Sequence, residues 1–218
     1  TFKVADKTTN TFELQNVDGT DINSSAFTTY SSGGIINRIY QITTEYTTAQ
    51  LFDLKFAQSA DVMYLCHPDH EPMKLSRTGH TSWSLNEVDF GDTGPYFDAN
   101  TTDTTITPQQ TAAATGKTLT LSATTGVNNN QGWLTTDVGR IVKFNGGTAK
   151  ITSRTNSTVA VATIVDAFTN TNATAAFQLG SFSDTTGFPS AVSFVEQRLV
   201  FAATNDQPQT IFLSKSGD

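Results

Sequence analysis

Five side chains of types that bind metals or transfer protons lie close together in residues 53–77, which hold the only cysteine and two of the three histidines. They are Cys66, His67, Asp69, His70 and Glu71. Neighbouring residues of a strand point to opposite faces, so Cys66 and His67 are poorly placed to share one ion. No second group of cysteines and histidines completes a closed zinc site. We therefore predict no metal and no cofactor, and interpret the stretch as a polar hairpin turn whose histidines cap backbone groups.

Carboxylates also occur close in sequence at Glu87, Asp89 and Asp92, in the pattern that a glycosidase needs for its acid and base. Acidic residues beside glycine are, however, typical of turns in β proteins. Ser76 and His80 lack a nucleophile-elbow motif and a placed third partner. The sequence therefore predicts no catalytic residues and a protein that is not an enzyme.

Aromatic residues and one arginine are the remaining candidates. Trp83 and Trp133 could stack on sugar rings, although packing in a core is the ordinary role of such residues. Arg198 is a lone charge in the apolar run VEQRLVF. Burial there would require a carboxylate such as Glu196 or a partner chain, and the alternative is a side chain that faces outward.

The elements that must position these residues are predicted to be strands. Only 15% of the 218 residues are charged, and polarity comes from Thr, Ser, Asn and Gln, which suit strands and turns. We expect an all-β, mainly antiparallel fold with one short helix near 48–55. The single Cys66 excludes an internal disulfide, and no apolar run reaches the roughly 18–20 residues of a membrane span. The net charge of −7 disfavours sequence-independent nucleic-acid binding.

The order of strands follows from alternating apolar residues and turn signals. We predict an opening hairpin in residues 2–15, a covered strand in INRIYQITTEY, and two strands, DVMYLCH and MKLSR, joined by a turn that Pro68 and Pro72 bracket. WLTTDVGR is predicted to form a single helical turn or a tight corner, and Asn145-Gly146-Gly147 a hairpin turn. AVSFVEQRLVFAAT and TIFLSKS are predicted to be two strands separated by NDQPQ.

The domain organisation is predicted from composition. Residues 98–116 contain few large apolar side chains and are typical of a linker or a long surface excursion. We expect a β body at 1–112, a small inserted β-barrel domain at 113–180, and a return to a propeller- or sandwich-like body at 181–218. Because the chain starts at Thr1 without methionine, we expect it to be a piece of a longer polypeptide.

Several stretches together resemble the bacteriophage tail nozzle family, also called tail tubular protein B. They are residues 35–79, 80–96, 133–153 and 187–218, and the most specific runs are YTTAQLFDLKFAQSADVM at 46–63 and FPSAVSFVEQRLVFA at 188–202. The resemblance covers most of the chain, which would be the N-terminal portion of a longer subunit. Its structural or interface candidates are Trp83, Arg198, Gln197, Asp61 and Arg77.

The resemblance implies a virion structural protein, made in the bacterial host cytoplasm and assembled as a hexameric ring in a short tail. It implies contacts with the tail adaptor and fibre proteins and a conduit through which viral DNA passes without specific binding. Acidic residues facing such a passage would keep DNA from adhering. The alternative hypothesis is a carbohydrate-binding or depolymerase module that engages the host envelope, which exposed aromatics and a carboxylate pair in one groove would favour.

Overall fold

The computed structural model describes residues 2–29, 31–33, 40–90 and 94–215. The fold is all-β with antiparallel sheets, and these residues contain no helix of seven residues or more. The all-β prediction is therefore confirmed. The chain divides into two compact units, Thr1–Ile39 and Tyr40–Asp218. The domain limits expected at 112 and 180 stay predictions.

The first unit contains the expected opening hairpin. Strands β1 (Lys3–Ala5) and β2 (Glu13–Gln15) pair antiparallel. A 3-10 helix follows at Ser24–Ala26, and Asn23 caps it by accepting a hydrogen bond from the amide of Ser25. Part of the strand predicted in INRIYQITTEY lies outside the described residues, and residues 40–46 form no strand.

The second unit begins with a four-stranded antiparallel meander, a layer that both propellers and sandwiches use. Its strands, in spatial order, are β3 (Lys55–Ser59), β4 (Val62–His67), β5 (His70–Gly79) and β6 (Ser82–Glu87). The two predicted strands on either side of Pro68 are confirmed as β4 and β5. Pro72, however, lies inside β5, and the turn consists of Pro68 and Asp69 alone.

The helix expected near 48–55 is only the 3-10 helix Thr48–Gln50, and β3 already begins at Lys55. The apolar residues that would have held a longer helix are turned to solvent, with Leu51 53% and Phe52 89% exposed. A two-turn helix needs tertiary packing to be stable, and this segment lacks it.

The largest sheet has six strands and curls into a half-barrel. In spatial order they are β12 (Gln178–Leu179), β9 (Ile141–Phe144), β10 (Gly147–Arg154), β11 (Val159–Asp166), β8 (Ala114–Leu121) and β7 (Ile106–Pro108). Alternate residues of β11 point inward, which places Ala160, Ala162 and Ile164 in the core. The predicted turn at Asn145-Gly146 is confirmed, since both residues have positive φ, 47° and 74°. The 3-10 helix Thr135–Asp137 confirms the predicted helical turn.

Residues 98–116 are not the linker that their composition suggested. They contain β7 and the start of β8, and Ile106 is completely buried. Asn100 ties this segment down, because its Nδ2 donates to the carbonyls of Thr102, Thr104 and Ala175 at 3.0, 3.0 and 3.1 Å. Hydrogen bonds from one side chain replace the apolar contacts that the sequence lacks.

The last sheet has three strands where two were predicted: β13 (Ala191–Val195), β14 (Arg198–Ala202) and β15 (Ile211–Leu213). Glu196 and Gln197 form the turn between β13 and β14, both with positive φ, 47° and 63°. Apolar and polar residues alternate on both sides of this two-residue turn. The sequence therefore predicted one long strand where the structure has β13 and β14. No helix in the described part of the chain is long and apolar enough to cross a membrane.

Candidate functional site

Three of the five predicted interface residues meet at one end of the four-stranded sheet. The guanidinium of Arg77 donates to the carboxylate of Asp61 at 2.9 Å and lies 5.8 Å from the ring centroid of Trp83. The indole of Trp83 donates to the carbonyl of His80 at 3.2 Å. Trp83 is 37% exposed, so this end cluster is a surface feature and not a core.

The other two predicted interface residues, Gln197 and Arg198, belong to the three-stranded sheet. Gln197 is a turn residue. Arg198 is half-buried, and its Nη1 donates to the carbonyl of Ser214 at 2.8 Å. A backbone acceptor therefore takes the place of the carboxylate that burial was expected to require, and Glu196 is an exposed turn residue.

The cysteine and histidines lie in a buried corner beside Tyr46. A bulge between Leu65 and His67 interrupts the alternation of β4, so Cys66 and His67 are both buried. The rings of His67 and His70 lie 5.2 Å apart, and His67 Nδ1 accepts from the amide of Asp69, as predicted for a capping histidine. Burial raises the pKa of the Cys66 thiol to about 12, which keeps it neutral and a poor nucleophile.

This corner has unpaired polar atoms but no recognisable metal geometry. Tyr46 Oη, His67 Nε2 and His70 Nε2 are buried and have no hydrogen-bond partner among the described residues. Within that same part of the chain, no three His, Cys, Asp or Glu side chains are grouped to hold a metal ion.

A cleft of about 600 Å³ brings two carboxylates and a lysine together. We call it the acidic cleft. Lys150 on β10 reaches across to the four-stranded sheet, with its Nζ 2.8 Å from Glu87 Oε2 and 3.4 Å from Glu71 Oε2. Aromatic side chains of Phe90, Phe182 and Phe188 line the same space. Sequence reasoning named both glutamates but in different groups, and Asp92 lies outside the described residues.

The two carboxylates of the acidic cleft have different proton affinities. Burial, followed by a hydrogen bond with Glu87, raises the pKa of Glu71 to about 7. The hydrogen bond from Lys150 lowers the pKa of Glu87 below its usual value. Such a split is typical of acid–base pairs. Here both carboxyls contact the same lysine, with Lys150 Nζ 3.4 Å from Glu71 Oε2 and 2.8 Å from Glu87 Oε2. We interpret the trio as a clamp between two sheets.

The second large cavity, of about 720 Å³, is lined mainly by polar residues, and we call it the polar cleft. Its lining comprises Tyr96, Phe97, Asp98, Asn100, Gly126, Asn128, Asn129, Gln131, Leu134, Arg140, Phe177, Leu179, Thr185, Thr186, Asp206, Gln207, Thr210 and Phe212. It is formed by the loops at the edge of the half-barrel and by the segment that leads into β15. Sequence analysis did not predict it.

A buried ion pair forms one wall of the polar cleft. Arg140 and Asp137 are 2% and 0% exposed and lie 2.9 Å apart. Arg140 also donates to Gly180 O and Asn128 Oδ1, at 2.8 and 2.9 Å, and its guanidinium lies 5.5 Å from the Phe97 ring centroid. Asp137 accepts further hydrogen bonds from Asn128, Leu134 and Thr185. The charges are therefore compensated within the wall. Both residues belong to WLTTDVGR, for which the sequence predicted only a local turn.

Comparison of the chain with protein-family models and with curated proteins finds no match. The function is therefore argued from the residues, the fold and the geometry of these clusters.

Proposed function

We propose that this protein is a structural component of a bacteriophage tail, of the nozzle type, and that it forms part of a ring around the DNA conduit. The observation that supports this proposal is a contact between two stretches that are distant in sequence. The two runs with the most specific resemblance, 46–63 and 188–202, supply strands that pack together, β3 and β4 against β13, although the half-barrel separates them in sequence. Tyr64 on β4 and Phe194 on β13 make an edge contact at 5.9 Å, and the amide of Phe188 donates to Pro68 O at 3.1 Å.

One exposed surface fits the subunit contact of such a ring. Register places Val195, Val200, Ile211 and Leu213 on one face of the three-stranded sheet, which we call the outer face. Val195, Ile211 and Leu213 are 51%, 61% and 57% exposed. The opposite face is covered, for example by Phe182 against Phe212 at 5.1 Å. The outer face also carries Ser193 and Arg198, but its exposed apolar residues opposite a covered face favour burial against another surface.

The edge of this sheet supports the same role. The strand β15 pairs with β14 on one side and is the last strand of its sheet in the described part of the chain. Edge strands offer backbone groups for pairing with another chain. We infer that the outer face and β15 contact the neighbouring subunit, and that other surfaces meet the tail adaptor and fibre proteins.

Assembly of the purified protein tests this proposal. We expect native mass spectrometry and electron microscopy to show rings, with six subunits as the expected number. Leu213→Asp places a charge in the proposed contact and should give monomers that remain folded. Val17→Asp is the control, because Val17 is 75% exposed in the other unit and should leave assembly unchanged. A wild-type protein that stays monomeric at every concentration, alone and with tail adaptor protein, would overturn the proposal.

A further inference from the structure

We propose that the polar cleft is a binding site for a neutral saccharide. This inference goes beyond the structural role and does not depend on it. The volume of about 720 Å³ lies within the range of small-molecule sites, roughly 300–1,000 Å³.

The wall of the cleft is fixed before any ligand arrives. Arg140, Asp137 and Asn128 bond one another and hold the loop at 126–131 against the half-barrel. Asn128, Asn129 and Asn130 all have positive φ, 47°, 54° and 67°, a backbone shape that asparagine tolerates better than most residues. A fixed wall lowers the ordering cost of binding.

Hydrogen-bond acceptors belong to residues that line the cleft. Gln207 Oε1 is buried and has no hydrogen-bond partner within the described ranges, although Gln207 lines the cavity. A buried carbonyl oxygen without a donor is costly, and a ligand hydroxyl would supply that donor. Asp98 and Asp206 add carboxylates at the exposed rim, which accept hydrogen bonds from the same kind of group.

Aromatic residues supply the second part of saccharide recognition. Tyr96, Phe97 and Phe212 line the cleft beside the polar groups. The C–H bonds on one face of a sugar ring are polarised positively and pack on the negative face of an aromatic ring. Aromatic rings and hydrogen-bond acceptors in one cleft suit a molecule that carries hydroxyls on its edge and C–H bonds on its faces.

The charges of the cleft disfavour an anionic ligand. Arg140 is a buried cation of the wall, and Asp137 already neutralises it at 2.9 Å. Asp98 and Asp206 leave the rim negative, so a phosphate or an acidic sugar would be repelled. A neutral oligosaccharide meets no such penalty.

The acidic cleft is a poorer candidate for the same ligand. Its lining is mostly apolar, with Phe90, Phe182, Phe188 and Ile141 among its residues. Its polar groups Glu71, Glu87 and Lys150 are already bonded to one another.

Ligand-observed saturation-transfer NMR on the intact protein tests the inference, with maltotriose, chitotriose, mannotriose and cellotriose as probes. We expect at least one probe to bind, and Gln207→Ala to weaken its Kd about tenfold, the effect of one lost hydrogen bond. Gln209→Ala is the matched control, because Gln209 is exposed, two residues away and outside the cleft lining. Asp206→Asn, which keeps the side-chain shape, should weaken the same probe less.

Two results would overturn the inference. One is the absence of saturation transfer from all four probes up to about 10 mM, where even millimolar affinities are visible. The other is binding that Gln207→Ala leaves unchanged while circular dichroism shows the variant folded. Both readouts are independent of ring assembly, so failure here leaves the proposed structural role to its own test.

Discussion

The half-barrel and the two smaller sheets of the second unit differ in how far their apolar side chains are buried. The half-barrel region holds the whole 15-residue buried cluster, from Ile106 to Leu179, including the completely buried Trp133. The smaller sheets bury few large residues, such as Leu65 and Phe201, and leave Phe56, Ile211 and Leu213 between 57% and 63% exposed. The half-barrel buries its apolar side chains by curling on itself, whereas the smaller sheets leave several of theirs exposed. Burial thus separates the part that supplies stability from the part on which the proposed assembly rests.

The largest expected effect is at the buried ion pair beside the half-barrel. Asp137→Ala leaves the Arg140 guanidinium without its carboxylate at 2% exposure, and we expect a loss of about 3–5 kcal/mol in the free energy of unfolding. Urea denaturation measures this loss. The double variant Asp137→Ala with Arg140→Met removes both charges and should recover much of the stability. If Asp137→Ala alone is as stable as the wild type, the half-barrel does not contribute more stability than the exposed sheets at this pair.

A core substitution gives the next largest effect. Ile151 on β10 is 1% exposed, and Ile151→Ala should cost about 2–5 kcal/mol because it removes apolar contacts and leaves a cavity. Phe56→Ala is the counterpart in the four-stranded sheet, where the side chain is 63% exposed and the cost should stay within about 0.5 kcal/mol. Thermal unfolding of both variants, measured on monomers, checks the difference. Equal losses would contradict the division that burial indicates.

A pH effect is expected at the acidic cleft, which joins the two regions. Since the folded-state pKa of Glu71 is raised from 4.5 to about 7, its stabilising contribution is full below about pH 4.5 and is lost as pH rises through 7. Glu87 has the opposite sign, because its pKa is lowered and its contribution is lost as pH falls below 4.5. Glu71→Gln should therefore gain stability relative to wild type as pH is raised from 4.5 to 8.

Urea midpoints across this pH range measure that gain. The exposed Glu13→Gln is the control and should run parallel to the wild type. If Glu71→Gln also runs parallel, burial in the acidic cleft does not raise the pKa of Glu71.

The smallest effect is expected at the end cluster on the four-stranded sheet. The Asp61–Arg77 pair is largely exposed, with the Asp61 side chain 64% accessible, so Asp61→Ala should cost at most about 1 kcal/mol. Added salt should shrink this cost further. A loss comparable to that of Asp137→Ala would mean that another surface covers the end cluster, and gel filtration would then reveal an assembly.

The sequence was most informative where a local pattern decides the structure. The alternation in DVMYLCH and the Asn145-Gly146 pair predicted strands and a turn that the structure contains, since both signals act between neighbouring residues. The turn at Glu196–Gln197 was missed because neither residue is a usual left-handed residue, and strand pairing on both sides holds it there.

The candidate sites were harder to predict because they depend on contacts between distant residues and on burial. Lys150 bonds glutamates that lie 79 and 63 residues away, and no local spacing indicates that pairing. The pair Asp137 and Arg140 is close in sequence, but only the fold shows that both charges are buried. Polar residues such as Asn100 also take structural roles that composition assigns to apolar ones.

The long separations in the clamp also bear on the order of folding. A contact between residues 63 and 79 positions apart forms only after both sheets have been brought together, because closing a long loop costs entropy before the contact repays it. We therefore expect the clamp to be absent from the folding transition state. Weakening it should speed unfolding while leaving the folding rate almost unchanged, so Lys150 would govern how long the two sheets stay joined rather than how fast they meet.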